Sequence, residues 1–174
     1  MEKCVVIYKS KTGFTEKYAN WIGEELQCEV YPVENSNLVH LQDYNLVIFG
    51  GGVRAGKIDG VKFIDKFRNS FSGKKLILFA TGATPTNEIE AIERVRSMNV
   101  PRNSGIPFFY FSSGFNYEKM KGLDKFFMSI ARGMMRRMKD NEDAQNSMVA
   151  DMKNSYDHSS REYIKPLVDY VKSI

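Results

Sequence analysis

The chain has 174 residues, of which 43% are hydrophobic, and it carries a formal net charge of +4 at pH 7. This length and composition suffice for a substantial core, so we expect a single α/β domain over residues 1–174. No apolar run approaches the ~18 residues of a membrane-spanning helix, and the short apolar run near the start, followed by Lys9 and Lys11, is unlike a signal peptide. We therefore exclude an integral membrane protein and expect a cytoplasmic one.

The residues with metal-binding chemistry do not have the spacing of a metal site. Cys4 and Cys28 lie in predicted strands, and in a reducing compartment we expect reduced core residues rather than a disulfide. His40 and His158 are isolated, and we interpret both as surface residues. We predict no metal site.

The net positive charge belongs to one segment. The stretch Lys119–Lys139 carries seven basic residues against one acid, Asp124, which gives it a charge of +6. Because the whole chain is at +4, the remainder is at −2. The excess of basic residues is therefore a property of this segment and not of the whole domain.

The first predicted elements are a strand, a polar loop and a helix. The apolar run Cys4–Ile7 predicts the strand, and apolar residues at four-residue spacing from Phe14 to Leu26 predict the helix. The loop between them, Ser10–Thr15, is rich in hydroxyls and contains Gly13. A helix N-terminus offers unpaired N–H groups and the positive end of a dipole. By itself, the loop is equally well explained as a phosphate site or as an ordinary helix cap.

The middle of the chain alternates strands and helices. We predict further strands over Glu29–Val33, Leu46–Phe49, Lys75–Ala80 and Ile106–Phe111. The predicted buried faces of the helices are Ile64, Phe67 and Phe71, then Ile89, Ile92 and Val95, and finally Ile164, Leu167, Val168 and Val171. Asp59 is predicted to cap the first of these helices, and Pro166 to kink the last one or mark its first turn.

Two further loops rich in Gly and Thr follow the third and fourth strands. They are Gly50–Gly56, which opens with three successive glycines, and Thr81–Asn87. Successive glycines at a strand end indicate either turn chemistry or a place where backbone passes close to a flat ligand.

Strands that alternate with helices predict a parallel sheet with right-handed crossovers. We expect a three-layer α/β sandwich on a five-stranded sheet of order 2-1-3-4-5. Ligands of such sheets bind outside the carboxyl ends of the strands. This order places the loops after strands one, three and four at one edge, which favours a shared ligand site.

Other nucleotide sites and a related fold can be tested on the residues. A P-loop needs Gly-x-x-x-x-Gly-Lys-Ser/Thr and a dinucleotide site needs Gly-x-Gly-x-x-Gly, and neither motif follows strand one. A receiver domain needs acids where strands one and three end, but Lys9 and Gly50 stand there. All three alternatives are excluded.

The loop Ser10–Thr15 resembles the phosphate loop of the flavodoxin family, Thr/Ser-x-Thr-Gly-x-Thr. The resemblance covers essentially the whole chain except the region after strand five. It implies an FMN cofactor, with the other two loops flanking the isoalloxazine ring. The cofactor-binding residues that it implies are Ser10, Lys11, Thr12, Gly13, Phe14, Thr15, Gly51, Gly52, Val53, Arg54, Ala55, Gly56, Thr81, Gly82, Ala83, Thr84, Pro85 and Asn87.

The chain departs from the electron-carrier flavodoxins in charge and in aromatic residues. Those proteins are strongly acidic and usually sandwich the flavin between aromatic rings, whereas this chain is basic overall and its two ring loops contain none. The predicted ring contacts are therefore Val53, Ala83 or Pro85 in the loops, or Phe115 or Tyr117 outside them.

The second loop also carries Arg54. Reduced FMN is negatively charged near N1, and an adjacent guanidinium would stabilise it. We hypothesise a higher potential for full reduction, and more two-electron behaviour, than in a low-potential carrier. The alternative is a solvated arginine with no effect on the flavin.

The region from residue 114 to 158 is predicted as a basic helical insertion before the last helix. Apolar residues at helical spacing, from Leu123 to Met138, indicate an amphipathic helix whose apolar face packs in the core or meets a membrane or partner. This segment and Arg54-x-Gly56 resemble the flavodoxin-like branch of menaquinone-dependent protoporphyrinogen dehydrogenases. Those enzymes have a long loop after strand four, but here only Thr81–Thr86 separates that strand from the next helix.

We predict an FMN-binding, flavodoxin-like protein that transfers electrons through its flavin. No side chain is assigned as an acid or base, since the cofactor does the chemistry. The alternative is an FMN-dependent oxidoreductase acting on quinone or protoporphyrinogen at the membrane surface, and a third reading is a binding domain without cofactor. We expect a redox partner protein or a quinone, a peripheral contact of Lys119–Lys139 with the inner face of the membrane, and no nucleic acid.

Overall fold

A computed structural model describes residues 3–66, 73–115 and 155–174 of the chain. The chain divides into two compact units, residues 1–113 with 159–174 and residues 114–158. Several predictions lie outside the described residues: the contributions of Phe67 and Phe71 to a helix face, the side chain of Phe115 and Tyr117 as ring contacts, and the basic segment Lys119–Lys139.

The first unit is built on a parallel sheet. Its strands in chain order are β1 (Cys4–Lys9), β2 (Glu29–Pro32), β3 (Leu46–Arg54), β5 (Lys75–Gly82) and β6 (Phe108–Ser112). They lie in the order β2-β1-β3-β5-β6, which confirms the predicted order of five parallel strands. A two-residue strand that was not predicted, β4 (Lys57–Ile58), pairs antiparallel with the end of β3.

Helices cover both faces of this sheet. The described α-helices are α1 (Phe14–Leu26), α2 (Lys62–Lys66), α3 (Ile89–Asn99) and α4 (Lys165–Ser173), with 3-10 turns at Val33–Leu38, Leu41–Asp43 and Arg161–Ile164. Pro166 lies in the first turn of α4. Backbone N–H groups in this turn make no hydrogen bond within the helix, so the lack of an N–H in proline does not disturb it. Within the described ranges, no helix is long and apolar enough to cross a membrane.

Alternation along the strands separates two apolar cores. Val6 and Ile48 face α1 and α4 together with Tyr18 and Leu167. Their neighbours Val5, Ile7, Val47 and Phe49 face the opposite layer, which includes Phe63 and Val100. Burial of each such side chain contributes about 1.5–3 kcal/mol, and the two-sided burial explains the continuous apolar runs by which the strands were predicted.

One predicted helix face is wrong in part. Val95 of α3 is buried, but Ile89 is 70% exposed. Residues 89 and 95 are six positions apart, which is about 600° of helix rotation. This is about 120° short of two full turns, so the two side chains point in directions about 120° apart around the helix axis. The spacing that predicted the helix therefore did not place both residues on one face.

The expectation of two reduced cysteines is also wrong in this structure. Cys4 and Cys28 form a disulfide, with their Cα atoms 5.5 Å apart, within the range that disulfides require. The parallel register pairs Val5 with Glu29, so the two cysteines stand side by side at the start of neighbouring strands. The strand register, which the cellular compartment does not determine, brings these two cysteines together.

The described ends of the second unit form a short ladder. Strand β7 (Gly114–Phe115) pairs antiparallel with β8 (Tyr156–Asp157). The ladder joins the two ends of the predicted insertion.

Candidate functional site

The first loop forms a compact turn at the start of α1. The Ser10 hydroxyl accepts a hydrogen bond from the N–H of Gly13 at 3.1 Å. Gly13 has a φ of 94°, a conformation that side chains rarely adopt. Below the loop, the Tyr8 hydroxyl donates to Glu16 in the first turn of α1 at 3.0 Å. Strand, turn and helix start are therefore held as one unit, and the first turn of α1 has no side-chain cap at Gly13, which suits an anion as the partner of its N–H groups.

Both lysines of this region face carboxylates from neighbouring loops. Lys9 forms an ion pair and hydrogen bond with Glu34, and this hydrogen bond lowers the pKa of Glu34 below its usual value. The Nζ of Lys11 lies 3.9 Å from Asp59. The loop itself therefore offers an anion backbone N–H groups and hydroxyls, and each of the two lysines already faces a carboxylate.

The three predicted loops meet at a pair of threonines. Thr15, in the first turn of α1, and Thr81, near the end of β5, are buried and their hydroxyl oxygens lie 2.8 Å apart. A Cβ added at Gly52 of β3 would lie 3.5 Å from the Thr15 hydroxyl and 4.0 Å from that of Thr81. The predicted convergence on one edge of the sheet is thus present in the structure.

The three successive glycines have different surroundings. They continue β3 instead of ending it, since Gly50–Gly52 pair with Phe79–Thr81 of β5. A Cβ at Gly50 would overlap the Phe79 ring, and one at Gly51 would overlap the backbone of Asp59. These two glycines make room for other parts of the protein, whereas Gly52 faces the site.

The second loop is a tight β-hairpin that sequence analysis missed. Its two turn residues, Ala55 and Gly56, have positive φ values of 49° and 78°, the type I′ pattern that joins two-residue hairpins. Asn99 at the end of α3 holds this turn: it accepts from the Ile58 N–H at 2.9 Å and donates to the Gly56 carbonyl at 2.8 Å. The Ala-Gly pair was the available signal for the hairpin, but none pointed to Asn99.

Arg54 lies at the start of this turn and forms an ion pair. Its guanidinium donates to the Asp59 carboxylate at 2.9 Å, and 45% of its side chain is exposed. Asp59 was predicted as a helix cap, but its carboxylate lies between Arg54 and Lys11. The charge of Arg54 therefore stands beside a compensating negative charge.

The third loop combines a fixed base with exposed residues. Gly82 ends β5, and its carbonyl accepts from the Ser113 N–H at 2.8 Å. Ala83, Pro85 and Asn87 are exposed and Thr84 is half-buried. A Cβ at Gly82 would lie 2.5 Å from the Tyr110 hydroxyl, so a larger residue here would have to displace the end of an aromatic side chain from β6.

Of the predicted site residues, the structure thus brings three groups to one edge. The first group is Ser10–Thr15, with Phe14 half-buried at the helix start. The second is Gly52–Gly56, whose members Val53 and Arg54 lead into the hairpin turn. The third is Thr81–Asn87. Gly51 is also at this edge but is packed against the hairpin.

This arrangement is that of a doubly wound α/β protein of the 2-1-3-4-5 type, with the ligand edge at the carboxyl ends of the strands. The family model described as a flavodoxin domain matches residues 5–146. The chain therefore belongs to the flavodoxin domain family, which confirms the predicted family, fold and cofactor class, an FMN-binding flavodoxin-like protein.

Individual relatives are more distant. An uncharacterized protein of Methanocaldococcus jannaschii is 34% identical over 86 residues, which are 48% of this chain and 56% of that protein. The chain thus spans little more than half of that relative's length. Among solved structures, a flavoprotein in complex with FMN from Lactobacillus acidophilus has 16% identity and a TM-score of 0.46, covering 64% of this chain and 93% of that one.

A flavodoxin from the domain Archaea has 18% identity and a TM-score of 0.42, covering 63% of this chain and 84% of that one. With TM-scores below 0.5, these similarities carry no weight, and the family assignment rests on the family match.

Proposed function

We propose that FMN binds at the edge formed by Ser10–Thr15, Gly51–Gly56 and Thr81–Asn87, and that the protein transfers electrons through this flavin to a redox partner. The observation that carries the proposal is the buried contact between Thr15 and Thr81 beside Gly52. When bound, the flavin supplies the capacity to accept and donate electrons. The roles of the side chains are to bind and orient it.

The phosphate is assigned to the first loop. Thr12 and Ser10 offer hydroxyl donors, because the Ser10 oxygen accepts from Gly13 and its own hydrogen remains available. The N-terminus of the 13-residue helix α1 adds N–H groups and the favourable end of the dipole. Binding of this kind depends on the dianionic phosphate and little on the rest of the cofactor.

The flavin ring is assigned to the other two loops. Gly52 leaves space at the end of β3, whereas the side chain of Val53 packs on the opposite face of the sheet with Ile58, Ala80 and Val95. Ala83 and Pro85 are exposed on the third loop and offer apolar contacts to the ring. These contacts are small and aliphatic, which fits the absence of aromatic residues from the two loops.

Comparison of FMN with riboflavin tests the phosphate assignment. Purified protein freed of flavin is titrated with each compound, and binding is followed by quenching of flavin fluorescence. We expect FMN to bind at least about 100-fold more tightly, the equivalent of about 2.7 kcal/mol, and the double substitution S10A/T12A to remove most of this preference. Equal affinity for the two compounds, or no binding of either, would contradict the proposal.

A matched control lies on the same helix. Asn20 is exposed on α1, five residues after Thr15, so N20A changes a polar side chain of α1 away from the loop. We expect N20A to bind both compounds as the unmodified protein does.

The redox partner is assigned only as a class: a partner protein or a quinone. Two assays separate them. Reduction of the flavin by a flavodoxin reductase, with electrons passed on to an acceptor protein and no quinone turnover, supports a carrier. Sustained turnover with a quinone or protoporphyrinogen supports the FMN-dependent oxidoreductase.

Peripheral membrane contact through Lys119–Lys139 rests on the net charge of +6 in that segment, since polybasic segments are attracted to anionic lipids. Flotation with vesicles containing anionic lipid tests it. We expect binding that falls with salt and is lost when Arg132, Arg136 and Arg137 are changed to Ser, and no binding to neutral vesicles. Failure of the unmodified protein to float would remove this proposal and leave FMN binding unaffected.

A further inference from the structure

Two cations at the edge formed by the three loops share one carboxylate. Asp59 lies 2.9 Å from the guanidinium of Arg54 and 3.9 Å from the Nζ of Lys11. Arg54 belongs to the second loop and Lys11 to the first, so the carboxylate connects the two loops. Its side chain is 21% exposed, half or less of the exposure of either cation.

The position of Asp59 follows from the hairpin. Its N–H donates to the Gly52 carbonyl at 2.9 Å, which places the two residues opposite each other across β3 and β4. Opposed residues of an antiparallel pair direct their side chains to the same face, and so do residues two apart on one strand. Asp59 and Arg54 therefore share the face on which Gly52 meets Thr15 and Thr81.

The charge at this face differs from what the sequence of the loops indicates. Two cations and one carboxylate leave the cluster of Lys11, Arg54 and Asp59 at +1. A negatively charged reduced flavin beside it is stabilised by this net charge, not by the isolated charge of Arg54. A carboxylate that faces both cations also holds Arg54 toward Lys11 and restricts its reach toward other groups.

We propose that Asp59 is a positioning residue of the flavin site, which holds Arg54 and Lys11 across the two loops and lowers the reduction potential of the bound flavin by balancing one of their charges. The proposal rests on FMN binding at this edge. It replaces the hypothesis that Arg54 alone raises the potential, because the guanidinium and its counter-charge act together.

The test is the midpoint potential of bound FMN in D59N, measured by equilibrium reduction against a reference dye. Because the substitution removes one negative charge and keeps the shape, we expect the reduced cofactor to gain about tenfold in relative affinity, which is a positive shift of about 30 mV for a two-electron couple. D59E, which keeps the charge, is expected to restore the potential of the unmodified protein.

Further variants separate charge balance from general effects. D65N makes the same charge change at an exposed position of α2, outside the cluster, and is expected to leave the potential unchanged. R54Q, which leaves the cluster at zero, is expected to lower the potential, and the combination of R54Q with D59N, which returns the cluster to +1, is expected to bring the potential back toward that of the unmodified protein. D59S repeats the central measurement if D59N does not fold.

The outcomes distinguish this inference from the proposed function. If the unmodified protein binds no FMN, the proposed function fails. If it binds FMN but D59N or D59S, folded and loaded with FMN, has an unchanged or more negative potential, the assignment of Asp59 is overturned while FMN binding stands. A positive shift of the potential in D59N, with no shift in D59E or in D65N, supports the assignment, since loss of stability alone would not produce this pattern.

Discussion

The first and second loops reach the same edge of the sheet but are shaped by different contacts. The first loop is built by neighbours in sequence: Ser10 accepts from Gly13, and Gly13 provides the left-handed turn that starts α1. The second loop is shaped by residues far away in the chain, including Phe79 against Gly50 and Asn99 against Gly56. The conformation of a loop that is set by neighbouring residues can therefore be predicted from a short sequence motif. The conformation of a loop that is set by distant contacts cannot.

The largest expected effect tests whether Gly50 is required by protein packing and not by the cofactor. G50A places a methyl group 1.9 Å from the Phe79 ring; overpacking of a core costs about 1–3 kcal/mol, and so deep an overlap belongs at the upper end, about 3 kcal/mol. We expect a loss of this size in the free energy of unfolding, measured by urea denaturation in the absence of flavin.

Gly52 provides the matched control on the same strand. A Cβ there makes only ordinary contacts, at 3.5 Å or more, so we expect G52A to lose less than about 1 kcal/mol in stability and to weaken FMN binding instead. If G50A were as stable as G52A without flavin, the assignment of Gly50 to packing would be wrong.

Reduction of the Cys4–Cys28 disulfide tests how much this bond stabilises the part of the chain that contains the first loop. The bond closes a loop with a sequence separation of 24 residues, which contains β1, the first loop and α1. Closing a loop of this length stabilises a fold by about 3 kcal/mol through the unfolded chain. We expect dithiothreitol to lower the free energy of unfolding by this amount.

The double substitution C4S/C28S serves as the control for the reductant. Its stability is expected to match that of the reduced protein and to be insensitive to dithiothreitol. Equal stability of the unmodified protein with and without reductant would show that the bond does not hold this region.

Asn99 tests the distant support of the second loop. Its amide group donates to the carbonyls of Gly56 and Val95 and accepts from the N–H of Ile58. Loss of a partner for buried polar groups costs about 1–3 kcal/mol, and we expect about 2 kcal/mol for N99A. Faster amide hydrogen exchange should be confined to the hairpin, and S97A, which removes a hydroxyl from the same helix, should leave the hairpin unaffected. Unchanged hydrogen exchange at the Ile58 amide in N99A would show that Asn99 does not stabilise the hairpin.

These contrasts explain how much of the fold and site was predictable. Strand order, the first loop and α1 follow from apolar runs, hydroxyls and one glycine, all of which are local signals. The hairpin, the Cys4–Cys28 disulfide and the ion pairs of Asp59 depend on register and on loops that meet only after folding. Strand β3 was predicted over the apolar run Leu46–Phe49, which stops at the first of the three glycines. It continues to Arg54 because the neighbouring strands pair with those glycines.

The smallest expected effect on stability concerns Glu34, which forms an ion pair with Lys9 although the two residues are far apart in the sequence. The hydrogen bond from Lys9 lowers the pKa of Glu34, so the native state favours the ionised carboxylate. A carboxylate with a lowered pKa in the folded state stabilises the protein above its unfolded pKa, near 4.5, and loses this contribution as the pH falls through the folded value. The Glu34 side chain is 54% exposed, and pairs of this kind contribute about 0.5 kcal/mol.

We therefore expect E34Q to be about 0.5 kcal/mol less stable than the unmodified protein at pH 7, with a difference that shrinks toward zero as the pH falls below about 4. Urea denaturation across this range measures it. E88Q, at an exposed position before α3, is the control for general loss of a negative charge. A difference that stays constant over the whole range would show that Lys9 gains nothing from the charge of Glu34. The first loop would then be held by its local contacts alone, and its contrast with the second loop would be sharper than the ion pairs suggest.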